Sequence, residues 1–524
     1  MTPAPPPTSI NRSDLLSALP PEWPTPLTST IASRVNYDAT SSSSSSSSSS
    51  HAPIIVVLDD DPTGTQTVYD LPVLTEWSEA SINYEFERSS GTTNAFYVMT
   101  NSRSLTPHAA AEVNAIIAKR LGAAAERYGR KLSVISRSDS TLRGHYPLEI
   151  DVLARALCED DDEDDSEEGS GGGSRRSGSS SQSMDGQLIV PFFLEGGRLT
   201  VNDVHYVADG DDALIPAANT PFAEDAAFGF SSSNLLDYVV EKTNGRYGRD
   251  SIESISIDDI RTGGPDAVCA KLSRLSNMRP CVVNAVTLRD AEVVALALMD
   301  AEERDGKRIL VRSAASFVQA RIGLPKRPIL DAGTIVNGEQ DDAAVRHRGG
   351  LIVVGSYVPK TTAQLGALLA LDDLVKIEID VADLVGDDEG RRDRILNSVL
   401  ERVRNAIASG GNAVAYTSRT LVTGTTPADS LAIGNVVSRS LVSLVRNLNC
   451  RPRFLIAKGG ITSSDVATKG LGIKRAWVLG QAAPGVPVWR VGPEGKFPGM
   501  GYVVFPGNVG GDDALLELVK KLSV

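Results

Sequence analysis

The sequence predicts an α/β protein built from two α/β domains with mostly parallel sheets. Three observations carry this. Short apolar runs of strand length recur along the chain and alternate with longer stretches of helical periodicity. Several of these runs end abruptly in acidic, hydroxyl or glycine residues, as strands do where α/β sheets hold their ligands. The chain has 524 residues, more than one hydrophobic core accommodates, so two or three domains are expected.

Residues 1–51 are rich in Pro and Ser and close on a pure serine tract, Ser41 to Ser50. Such a composition offers little apolar surface to offset the entropy of ordering, and disorder is expected there. The first domain is expected over 52–335. Its strand-like runs are Ile54–Leu58, Ala95–Met99, Ser133–Ile135 and Leu188–Pro191, and Pro107–Arg127 has helical spacing. Within this domain lies an acidic, then Ser- and Gly-rich stretch over 159–184, opening with Glu159 to Asp165. It reads as a flexible, solvated surface insertion, because like charges repel and extend the chain. A polar, Gly-rich stretch from Asp331 to Gly350 marks the boundary, and the second domain is expected over 350–524. Its strands are read at Leu351–Val354, Val414–Tyr416 and Phe454–Ala457, with an amphipathic helix at Leu431–Leu448.

Composition excludes several classes. The formal net charge of -14 argues against a nucleic-acid partner. No apolar stretch is long enough to span a membrane, and no charged-then-apolar signal pattern opens the chain. The four cysteines are scattered and form no CxxC pair, which suggests a reducing, cytoplasmic setting and no structural zinc. Five histidines are spread out without an HExxH pair, so no metal ligand set can be named.

Two segments of the first domain carry chemistry. The run ending at Leu58 meets three consecutive carboxylates, Asp59, Asp60 and Asp61, and then Pro62-Thr63-Gly64. Three crowded acids repel, so a solvated turn explains them less well than a cation or a polyhydroxy ligand does. After Ile135 comes Arg137-Ser138-Asp139-Ser140-Thr141-Leu142-Arg143-Gly144-His145. Guanidinium groups grip carboxylates or phosphates, and hydroxyls both donate and accept. The combination suits a small ligand with an acid group and several hydroxyls. It also suits a capped helix start, which itself attracts anions. Arg103, in Asn101-Ser102-Arg103-Ser104, and Arg198, after Gly196-Gly197, stand where strand-end loops would expose them; for Arg198 a plain glycine-rich turn is an equal reading.

The strings Asp60-Asp61-Pro62-Thr63-Gly64 and Asp139-Ser140-Thr141-Leu142-Arg143-Gly144 resemble the four-carbon acid sugar kinase family. The resemblance runs from about Ala52 to the end, and the second string is the more specific. It implies an N-terminal sugar-binding domain, a C-terminal nucleotide-binding domain and an interdomain active-site cleft. It also implies ATP and Mg2+ as cofactors and a tetronate-type sugar acid as substrate: threonate, erythronate or an oxo relative. The partners are then a small sugar acid and ATP, and the chain is compatible with a homo-oligomer. Asp60 or Asp139 would take the hydroxyl proton. Asp61, Thr63, Arg103, Ser140, Thr141, Arg143 and Arg198 would hold the sugar acid. In the second domain Gly355-Ser356 follows a strand but lacks the Gly before Lys360 that a Walker A loop requires, and a Pro-started helix accounts for it equally. Gly459-Gly460-Ile461-Thr462 pairs glycines with hydroxyls as an anion cradle does, and Pro506 to Gly511 is a Gly-rich turn. By resemblance, Ser356, Gly459, Gly460, Ile461, Thr462, Gly507 and Asn508 would meet the nucleotide. Three departures stand out: His145 replaces an Asn, Ile461 an acid (with Asp465 as a substitute) and Val509 an aromatic residue. The competing readings are a nucleotide-dependent oxidoreductase on sugar acids, against which the missing GxGxxG speaks, and a non-catalytic member of the fold.

Overall fold

The strand at Ile54–Asp59 is buried along its whole length, so it reads as an unbroken apolar run rather than an alternating one. The computed structural model describes residues 9–36, 52–88, 94–158, 183–336, 345, 347–385, 389–420, 422 and 427–524. The chain divides into two units. The first comprises Met1–Val56, Ile82–Asn94 and Leu105–Gly323; the second comprises Val57–Ser81, Ala95–Ser104 and Leu324–Val524.

In the first unit the strands lie in the order Glu253–Ile255, Arg279–Val283, Gly186–Val190, Ile309–Ser313, Leu132–Arg137. All four pairings are parallel, with Val311 opposite both Leu188 and Ile135. Parallel neighbours need crossovers, and helices at Leu148–Ala156, Gly264–Leu272 and Leu288–Arg304 supply them. The last starts on a reciprocal capping box between Thr287 and Asp290, which satisfies N–H groups that the first helical turn leaves open. The buried Asp290 carboxylate is also held by Arg261 Nε and NH2 at 2.8 and 3.0 Å. A small antiparallel sheet, Ile10–Asn11, Ala213–Pro216, Val204–Asp209 and Arg198–Val201, completes this unit.

The N-terminal expectation fails over 9–36. Ile10 pairs with Leu214, and helices form at Arg12–Ser17 and Thr28–Val35. The second buries Ile31 and Val35, its Thr28 hydroxyl bonds Glu292, and Arg34 pairs with Asp300 and Glu303 at 2.7 Å each. A Cβ on Gly264 would strike the Trp23 ring at 2.3 Å. The overall composition is that of a disordered tail, but the few apolar residues it contains are spaced to dock. The serine tract and residues 159–182 of the acidic insertion lie outside the described residues.

In the second unit the order is Val375–Ile379, Ala413–Thr417, Leu351–Val354, Leu455–Lys458, Gly501–Phe505, Val486–Val491, Arg475–Ala483, Leu71–Leu74, Ala95–Met99. The first five strands are mutually parallel. Val486–Val491 and Arg475–Ala483 then run antiparallel to their neighbours. Segments expected in the first domain, 57–81 and 95–104, therefore group with the second unit. One tie is Trp489, fully buried, whose indole N–H donates to Thr65 Oγ1 at 2.9 Å. The helix expected at Leu431–Leu448 spans Pro427–Arg446.

Candidate active site

In the second unit three adjacent parallel strands end together. Leu455 pairs with both Leu351 and Tyr502, so the loops starting at Gly355, Gly459 and Pro506 emerge side by side at the carboxyl edge. Gly459 has φ 110°, and a Cβ there would come within 2.7 Å of Ser356 Cβ. Gly507 leaves 3.6 Å between a built Cβ and Ser356 Oγ. Ser356, Gly459, Gly460, Thr462 and Gly507 are thus brought to one place, with Asn508 next in the turn. Ile461 is 61% exposed, as is Tyr357 beside Ser356. Asp465 instead bonds the Ser438 hydroxyl and pairs with Lys469 at 2.6 Å.

The turn after Pro506 is fastened through its carbonyls. Lys458 Nζ donates to the carbonyls of Pro506 and Gly507, and Thr361 Oγ1 donates to Gly507 O at 3.1 Å. Gln364 Nε2 donates to the carbonyls of Val509 and Gly511 at 2.9 and 2.8 Å. Lys458 is 0% exposed. Burial, and then the charge of Lys360, push its ammonium down to about 7. Arg419 braces the neighbouring loop, donating to Ser356 O at 2.6 Å and to Thr417. Neither Lys458 nor Arg419 was singled out from sequence. The signal for Lys458 was a lysine closing an apolar strand.

The acidic triplet belongs to this unit too. Asp61 accepts from the Thr63 backbone N–H at 2.9 Å and from its hydroxyl. Its Oδ2 lies where a Cβ on Gly460 would sit 2.7 Å away. Arg103 clamps Asp60 with Nε to Oδ2 at 3.0 Å and NH2 to Oδ1 at 2.6 Å, and lies 3.7 Å from Asp61. A bidentate counter-ion resolves the repulsion that the sequence left open. A Cβ on Gly64 would fall 2.1 Å from Asp59 Oδ2, so the Asp59 carboxylate packs directly against the backbone of this turn.

The first unit carries the other cluster. Asp139 Oδ2 accepts from the Thr141 hydroxyl and from Arg143 Nε at 2.6 Å. Arg143 also lies 3.6 Å from Asp225 and 5.1 Å from the centre of the Phe222 ring. The loop is held from beneath by its carbonyls. His205 Nε2 bonds Ser140 O at 2.8 Å, Tyr238 OH donates to Leu142 O at 2.9 Å, and Arg312 NH2 donates to Arg143 O at 3.0 Å. These tethers fix Leu142 at φ 68°, a left-handed conformation that a side chain adopts only under constraint. Burial pushes the His205 imidazole down to about 4, so it is neutral. Nε2 carries the proton, because a carbonyl only accepts, and Nδ1 is left to accept from Thr200 Oγ1 at 3.0 Å. Arg312, His205 and Tyr238 were not singled out from sequence; the signal for Arg312 was an arginine closing the apolar run Ile309 to Val311.

Arg198 differs from Arg103 and Arg143, which pair with Asp60 and Asp139. Its NH1 donates to Gly196 O, and its buried Nε has no hydrogen-bond partner. Burial, and secondly Arg143, lower its pKa, against the pull of Asp139. A desolvated guanidinium with an open donor is a receptor for an anion.

A sugar-binding N-terminal domain matches residues 55–321 and a nucleotide-binding C-terminal domain matches 351–515. No curated protein matches the chain significantly. Among solved structures, the "putative tRNA synthase" of Salmonella typhimurium LT2 is 17% identical with a TM-score of 0.61, covering 88% of this chain and 98% of its own. Haemophilus influenzae protein HI1011, of family DUF1537, is 18% identical with a TM-score of 0.57, covering 90% of this chain and 100% of its own. At these identities the likeness speaks for the fold alone. Among the described residues no helix is long and apolar enough to cross a membrane.

Proposed function

The chain belongs to the four-carbon acid sugar kinase family, and from that premise we propose that it transfers the γ-phosphoryl group of ATP to a hydroxyl of a four-carbon sugar acid of the threonate, erythronate or 3-oxo-tetronate type. The observation that carries the acid half is Arg198, a half-buried guanidinium whose buried Nε has no hydrogen-bond partner and which pairs with no carboxylate among the described residues. Arg103 is committed to Asp60 and Arg143 to Asp139, so Arg198 takes the substrate carboxylate. Ser140, Thr141 and Thr63 offer hydroxyls to the sugar. Asp139 acts as general base. The acceptor hydroxyl gives its proton to Asp139 as its oxygen bonds the γ-phosphorus, the bond to the β-bridging oxygen breaks, and ADP leaves. Asp60, locked in its Arg103 fork, positions rather than reacts.

The nucleotide is assigned to Ser356, Gly459, Gly460, Ile461, Thr462, Gly507 and Asn508. Mg2+, when bound, would neutralise phosphate charge and needs only one or two protein carboxylates; Asp61, lying against Gly460, suits that role. The four free cysteines support a reducing, cytoplasmic setting.

The test is ADP release with Mg-ATP across a panel of four-carbon sugar acids, for the wild type and Asp139→Asn. Turnover on one acid, reduced roughly 100- to 10,000-fold by the substitution, is expected for loss of a general base. ATP binding without turnover on any acid would defeat the kinase reading in favour of a non-catalytic role. Oxidation of a sugar acid at the expense of a nicotinamide would favour an oxidoreductase.

A further inference from the structure

Arg419 follows the strand Ala413–Thr417, whose Tyr416 lies opposite Val354 in the parallel neighbour, so its side chain reaches the Ser356 loop. Its Nε and NH2 donate to Thr417 O, NH2 also donates to Thr417 Oγ1, and NH1 donates to Ser356 O. All these acceptors are neutral. Glu378 acts on Arg419 only through space, and burial lowers the pKa of the guanidinium. One NH1 proton remains uncommitted, since NH1 carries two.

Lys458, on the other side of Ser356, is in the same condition. It is bonded to two carbonyls, and its nearest charged influence is the like-charged Lys360. Among the described residues neither Lys458 nor Arg419 has a carboxylate partner, and desolvated basic groups left so destabilise a fold unless an anion completes them. Lys458 is sealed from solvent and contributes only its field. Arg419 is half-buried and therefore reachable.

We infer that Arg419 is a nucleotide-binding residue that contacts a terminal phosphate of ATP, with Lys458 as the buried positioning residue whose amine holds the adjoining Gly507 turn. This rests on the nucleotide role proposed for the second unit. The Ser356 carbonyl is turned onto Arg419, so bound phosphate and the loop share one guanidinium, and the charge of the ligand sets how firmly the loop is held.

Calorimetric titration of ATP, ADP and adenosine into the full chain tests this, using wild type, Arg419→Gln and Arg419→Lys. Loss of a charge-assisted hydrogen bond is expected to weaken ATP roughly tenfold or more in Arg419→Gln. ADP should weaken less, adenosine should be unchanged, and Arg419→Lys should recover part of the loss. ATP affinity within twofold of wild type would overturn the inference. So would a parallel loss of adenosine, which would leave Arg419 a mere brace. A wild-type chain that binds no ATP defeats the nucleotide reading itself, and this inference with it. Should Arg419→Gln fail to fold, Arg419→Lys carries the same ATP-against-adenosine comparison.

Discussion

His205 shows what a single buried side chain does for the Asp139 loop. Its neutral ring donates to Ser140 O and accepts from Thr200, so the loop depends on one tautomer. Its pKa is about 4 when folded against an ordinary 6.5. Between those values the folded state binds fewer protons than the unfolded one. Stability is therefore full above pH 6.5 and is lost as pH falls towards 4, by an amount on the order of 3 kcal/mol. His205→Gln keeps a donor for Ser140 O and removes the titration. Denaturant melts at pH 7 and pH 4.5 should show a markedly smaller acid loss in the variant. An equal loss in both proteins would mean that other groups govern acid sensitivity. None of this was visible in the sequence, where His205 sits in an ordinary Val-His-Tyr run. The Asp139–Arg143 string was visible because its residue types are themselves the chemistry.

Among the elements, the helix Thr28–Val35 is one that composition concealed. A segment surrounded by Pro and Ser reads as disordered because the average hides the periodicity of Leu27, Ile31 and Val35, all buried. Ile31 is 0% exposed, so Ile31→Ala should cost roughly 2–5 kcal/mol, read as a shift of the urea midpoint with little change in slope. A change below about 0.5 kcal/mol, the range of ordinary surface substitutions, would show that the helix does not stay docked in solution. By contrast, the helix at Pro107–Arg127 was legible to the residue, because Thr106 caps it, Pro107 opens it and alanines fill it. The glycines of the Gly459–Gly460 loop were legible as a cradle. That Gly459 must yield to Ser356 and Gly460 to Asp61 depends on neighbours far away in sequence.

For the molecule as a whole, the second unit is not one continuous stretch. Leu71–Leu74 pairs with Arg475–Ala483, and Thr65 satisfies the buried Trp489 indole. A fragment of residues 350–524 lacks both. It should melt without a cooperative transition and show red-shifted Trp489 emission, because an uncovered strand edge and an unpaired buried donor are both costly. A sharp thermal transition with blue-shifted emission would show that the early segments are dispensable. A boundary read from sequence follows composition along the chain, whereas strand pairing joins segments hundreds of residues apart.

The sequence by itself determined the fold class, the alternation of strands and helices, and the family, because apolar periodicity and the Asp-Ser-Thr-Leu-Arg-Gly string are local properties. It also offered three arginines as equal candidates for an anion. Only the tertiary structure separated them. Whether a guanidinium is committed depends on which carboxylate the fold brings within about 3 Å of it. Arg103 meets Asp60 and Arg143 meets Asp139, while Arg198 meets a single carbonyl. The same holds for Lys458 and Arg419, whose partners are neutral oxygens at strand ends. Desolvation and pairing are properties of three-dimensional surroundings, and they decide which of the charges written in the chain are left to bind.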